Sequence, residues 1–124
     1  MSKVEEFRSY RKKMNERILA GDNKIIKRIY SLDSMSYQEG RGNLDVRVKE
    51  IIGLTTSLVL RCDDCVKYHI EKCVELGWSN EEIEEAMSVA TLIGGTIVIP
   101  HLRRAIEYMD ELRVYNEKNP ESKI

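Results

Sequence analysis

The sequence predicts an all-α protein, a compact helical bundle of about six helices. Apolar residues recur at three- and four-residue intervals in segment after segment, the spacing of one helix face. Glycines fall where those segments end, as they do at helix C-termini. No segment reads convincingly as a strand.

The first helix covers about Lys3 to Leu19 and stops at Ala20-Gly21-Asp22. Asp22 is the candidate N-cap of a second helix, with Ile25, Ile26, Ile29, Tyr30 and Leu32 as its apolar positions. The polar, two-glycine segment from Tyr37 to Asn43 is a connector. A third helix, from about Leu44 to Leu60, is predicted to be mostly buried through Val48, Ile51, Ile52, Leu54, Leu58 and Val59. The fourth starts at Cys62 and ends at Leu76-Gly77, with Val66, Ile70, Cys73 and Val74 inward.

Ser79-Asn80-Glu81-Glu82 is a capping box, in which the serine hydroxyl and the glutamate satisfy each other's backbone N–H groups. It fixes the start of a fifth helix carrying Ile83, Ala86, Met87, Ala90 and Leu92, which loosens at Gly94-Gly95. A sixth helix follows, with Pro100 tolerated in its first turn and Leu102, Ile106, Met109 and Leu112 as its stripe. The polar tail from Asn116, which contains Pro120, is expected to fray. Short connections between the later helices argue for one bundle. The 124 residues read as a single domain, with residues 1–21 as its N-terminal helix.

A formal net charge of −1 gives no electrostatic case for nucleic acid or an anionic membrane as a partner. The local basic group Arg8, Arg11, Lys12 and Lys13 reads as a solvated helix face. The longest apolar stretch, around Ala90 to Pro100, is too short and glycine-broken to span a membrane. The polar start of the chain has no signal-peptide pattern, so a cytoplasmic location is expected. Three cysteines, two of them at CxxC spacing, then point to redox or metal chemistry rather than a structural disulfide framework.

Cys62 and Cys65 lie across a predicted helix start, where positions three apart are roughly 5–6 Å from one another. Unpaired N–H groups and the positive end of the helix dipole stabilise a thiolate there. His69 falls one turn beyond Cys65, where an imidazole can take the thiol proton and return it. Glu50 precedes the bend at Leu60-Arg61 by about ten residues, or roughly 15 Å of helix at 1.5 Å per residue. If helices three and four fold back antiparallel, it comes level with His69, which suggests a relay from Glu50 to His69 to Cys65. Taken singly, His69 reads as a packed or surface histidine and Glu50 as a solvated charge. Their joint spacing makes the case.

Cys73 is expected to be a small core residue and His101, with no evident partner, structural. Tyr68 and Trp78 read as packing groups, with Tyr68 also placed to line a substrate pocket. The chain calls for no cofactor.

The pattern Glu50-(11 residues)-Cys62-x-x-Cys65-(3 residues)-His69 resembles that of the alkylhydroperoxidase D-like proteins of the carboxymuconolactone decarboxylase family. So do Gly42-Asn43-Leu44-Asp45, the run from Leu76 to Ala86 and Gly94-Gly95, and the likeness covers about Ile25 to Leu112. The resemblance implies that family's all-α fold, assembled as a homo-oligomer, commonly a trimer or hexamer. It implies a thiol-dependent peroxidase or disulfide oxidoreductase, with Cys65 reactive, Cys62 resolving, and His69 and Glu50 relaying protons. The substrate would be a peroxide or disulfide, and the reductant a protein or dithiol. Asp64 departs from the family's best-studied peroxidases, which carry a histidine just before the second cysteine. Two other activities stand beside this reading: the lactone-decarboxylase lyase of the family name, and a structural zinc site using Cys62, Cys65, His69 and Glu50.

Overall fold

A computed structural model describes residues 2–121 of the chain. Six α-helices and one short 3-10 turn account for nearly all of them, with no strand among the described residues. They divide into two compact units, residues 1–46 and 47–124.

The first unit is a helical pair, α1 (Lys3–Leu19) and α2 (Lys24–Ser36). Ser2 opens α1 with a full capping box to Glu5, which the sequence reading missed. Asn23, not Asp22, caps α2: its side-chain oxygen accepts from the Ile26 N–H at 3.0 Å. Asn and Asp cap equally well, so local preference could not choose between neighbours. Tyr30 donates from its hydroxyl to the Asn15 side chain at 2.9 Å and ties the two helices. Ile25, Ile29 and Leu32 stay exposed at 74%, 58% and 47%. The connector that follows turns at Gly40 and Gly42, both with positive φ.

The second unit holds the larger core. Its helices are α3 (Val46–Val59), α4 (Asp63–Glu75), α5 (Asn80–Gly94) and α6 (Ile99–Lys118), with the 3-10 turn at Thr96–Val98 before α6. Leu54 and Leu58 of α3, Val66, Ile70 and Cys73 of α4, and Ile83, Met87 and Ala90 of α5 are buried. Ala105, Tyr108, Met109 and Leu112 of α6 close that core. The spacing of each set by three, four or seven residues puts it on one helix face. Ile52 and Leu92, expected inside, point outward at 47% and 84% exposure. The Ser79–Glu82 capping box is present. Chain that is still helical occupies Asn116 to Lys118, where fraying is expected; residues 122–124 lie outside the described residues.

Trp78 locks the α4–α5 junction. Its indole N–H donates to the Arg47 carbonyl at 3.0 Å, and the Arg47 guanidinium lies 4.1 Å from the ring centre. Arg113 donates to the Trp78 carbonyl at 2.9 Å. The buried Glu71 accepts from the Tyr108 hydroxyl at 2.9 Å, linking α4 to α6. Among the described residues, no helix is long and apolar enough to cross a membrane.

Candidate active site

The cysteine pair is placed by the way α3 ends. The Arg61 N–H bonds back to the Leu58 carbonyl and the Cys62 N–H to the Ser57 carbonyl, each at 3.0 Å. This is the six-to-one and five-to-two closure of a Schellman motif, with Arg61 at φ 60 in the left-handed position glycine usually takes. The chain reverses within three residues, and Cys62 becomes the N-cap of α4 without a break. Its side chain makes no capping hydrogen bond.

Cys62 and Cys65 are joined as a disulfide across that first turn, with Cα atoms 5.3 Å apart. Cys65 is exposed and Cys62 half-buried, so a small reagent reaches the second cysteine from solvent. The pair stands at the N-terminal end of α4, where a helix start favours negative charge.

The second turn of α4 brings His69 against Glu50 of α3. His69 Nδ1 lies 2.7 Å from Glu50 Oε1, so α3 and α4 run back along one another as the helix-length estimate requires. Glu50 is only 2% exposed. A carboxylate buried this deeply keeps its charge only with a partner, and the ring N–H supplies one. Donation from Nδ1 leaves Nε2 as the basic nitrogen of the neutral imidazole. The Tyr68 ring meets the His69 ring edge-on at 5.4 Å. One turn further, Cys73 is fully buried, and burial followed by the charge of Glu50 pushes its thiol up to about 12. Its place is in the core, apart from any thiolate chemistry.

Two residues of α6 complete the surroundings. His101 Nδ1 lies 2.8 Å from Asp63 Oδ1, and Arg104 Nε donates to Asp63 Oδ2 at 2.9 Å. Read from sequence, His101 has no evident partner; the structure gives it the residue next to Cys62. Arg104 was not singled out at all. The only local signal is that the two are three apart on one helix face; Asp63 is 38 and 41 residues away. Burial raises the Asp63 carboxyl, but hydrogen bonds from His101 and Arg104 outweigh it and hold the group below its ordinary 3.8.

The four residues a zinc site would need are taken up in two pairs, a disulfide and a carboxylate–imidazole contact. Among the described residues no three His, Cys, Asp or Glu side chains are grouped to hold a metal ion. A shallow groove of about 320 Å³, lined mainly by apolar side chains, runs between α3 and α5 past Thr55, Val59, Leu60, Val89 and Ile93.

The sequence model of the carboxymuconolactone decarboxylase family matches residues 28–108, the stretch that contains every residue of this site. The chain belongs to that family. Among solved structures of the family, one protein from Thermotoga maritima superposes with a TM-score of 0.87 at 46% identity, covering 93% of this chain and 99% of its own. A second structure of it gives 0.85 at 48% identity, over 94% and 97% of the two chains, and describes a suggested part in an antioxidative response. A Legionella pneumophila family member, 21% identical with a TM-score of 0.68 over 86% of this chain and 96% of its own, shares the fold.

Two curated relatives match over 71 residues, 57% of this chain. An uncharacterized protein of the cox locus of Paracoccus denitrificans is 31% identical, and one from Cupriavidus necator 28%. The matched stretch spans 64% and 63% of their lengths, a little under two thirds.

Proposed function

We propose that this family member is a thiol-dependent oxidoreductase that reduces peroxides or disulfides through Cys62 and Cys65. The observation that carries the reading is the buried Glu50–His69 contact at 2.7 Å, one helical turn from a cysteine pair at a helix start. The likeness to a Thermotoga maritima protein described with an antioxidative response supports it.

In the reduced protein His69 takes the Cys65 thiol proton, and Glu50 stabilises the imidazolium that results. The Cys65 thiolate attacks one peroxide oxygen and the O–O bond breaks. The departing alkoxide receives the proton and leaves as an alcohol, while Cys65 becomes a sulfenic acid. The Cys62 sulfur attacks that sulfur, water departs, and the disulfide closes. An external dithiol then gives two electrons and two protons and leaves oxidised. The exposure of Cys65 suits it to the first attack.

Disulfide exchange uses the same residues. The exposed carboxylate of Asp64, standing where the family's best-studied peroxidases carry a histidine, opposes the thiolate in either reaction. A homo-oligomer, a trimer or hexamer, fits the exposed apolar side chains Ile25, Ile29, Leu92 and Ile93.

Peroxide consumption with a dithiol donor tests the proposal, run beside reduction of a model disulfide. Cys65→Ser should abolish peroxide-dependent oxidation, and Cys62→Ser should leave a sulfenic acid that a nucleophilic trap captures. Equal peroxide reactivity in wild type and both variants would overturn the assignment.

A further inference from the structure

Resting on the redox reading above, we propose that Arg104 and His101 of α6 are positioning residues for the Cys62–Cys65 pair: they clamp Asp63 and cancel its charge, and so set how oxidising the pair is. Asp63 is the first residue of α4, directly after the N-cap cysteine. Its two carboxylate oxygens are divided between the partners, Oδ1 to His101 Nδ1 at 2.8 Å and Oδ2 to Arg104 Nε at 2.9 Å. Arg104 Nη2 also lies 3.2 Å from His101 Nδ1, a proximity and not a further bond, since a ring nitrogen that donates to Asp63 does not accept from Arg104. Because α6 supplies both donors, the clamp pins the first turn of α4, where the cysteines sit, to the neighbouring helix.

The charge consequence follows from position. A carboxylate beside a thiolate disfavours it, and Asp63 stands between the two cysteines in the chain. A guanidinium hydrogen-bonded to that carboxylate removes most of the penalty. Whatever stabilises thiolate stabilises the reduced pair, and a pair with a stabilised reduced form is the stronger oxidant. Loss of Arg104 should therefore make the pair more reducing, and loss of the Asp63 charge should make it more oxidising.

The test equilibrates the whole protein with graded ratios of reduced and oxidised dithiothreitol and reads the disulfide fraction by alkylation mass shift. In each exchange the dithiol loses two electrons and two protons, and the Cys62–Cys65 disulfide gains them. Arg104→Gln should shift the equilibrium roughly three- to tenfold toward the disulfide, about 15–30 mV more negative. Arg104→Lys, which keeps the charge, should stay near wild type, and Asp63→Asn should shift the other way. The double variant should return toward wild type, as charge compensation requires.

A role in holding the fold alone would move the single variants in one direction or not at all, and either result overturns the inference. Wild-type cysteines that fail to exchange with the dithiol would overturn the redox reading as well. A pair that cycles normally with unmoved midpoints overturns only the role of Arg104 and His101.

Discussion

Glu50→Gln is the most informative single change, because it removes a charge and almost no volume. Glu50 is 2% exposed and its carboxylate faces the His69 ring N–H at 2.7 Å. The amide keeps an oxygen that can still accept from that N–H, so the ring stays oriented. What is lost is the charge assistance. A hydrogen bond involving a charged group contributes about 1.5–3 kcal/mol, against about 0.5–1.5 kcal/mol for a neutral one.

The difference of about 1–1.5 kcal/mol falls on the state in which His69 holds the thiol proton, and 1.4 kcal/mol corresponds to tenfold. Peroxide consumption should therefore slow about tenfold in kcat/KM with a dithiol donor, while thermal unfolding stays close to wild type. A rate within a factor of two of wild type, in a variant that folds normally, would refute the relay and make Glu50 a packing residue. The same substitution has a readout independent of activity. Glu50's charge helps to raise the Cys73 thiol, so Cys73 should become somewhat easier to alkylate.

Cys73 in the wild type should be nearly inert. A thiol pushed up to about 12 from an ordinary 9.0 has about a thousandfold less thiolate at neutral pH. Thiol counting on reduced protein should find two reactive cysteines when native and three when denatured; three fast native thiols would refute its burial. Gly94→Ala should destabilise the second unit by about 1–3 kcal/mol, read by denaturant unfolding. The added Cβ would stand 2.5 Å from Cγ2 of the buried, branched Val98. An unchanged midpoint would mean that the 3-10 turn yields without cost.

Legibility from sequence followed the range of the interaction. The Ser79–Glu82 cap and the glycine stop at Leu76-Gly77 were readable, because each is decided within four or five residues of backbone geometry. The CxxC pair at a helix start was readable for the same reason. Glu50 and His69 were within reach although 19 residues apart, since two helices joined by a tight reversal meet at a calculable height.

Choices between near-equivalents were not readable: Asn23 over Asp22 as a cap, or Leu92 turned out while Ala90 turned in. Periodicity leaves such faces open by one residue, and packing decides.

The sequence by itself determined the helices and the cysteine turn, and it put Glu50 level with His69 on the condition that α3 and α4 fold back antiparallel. Only the tertiary structure decided the partners of Asp63. His101 and Arg104 reach it because α6 lies against α4. A contact between helices about 40 residues apart is set by how whole helices pack, and no local spacing records it.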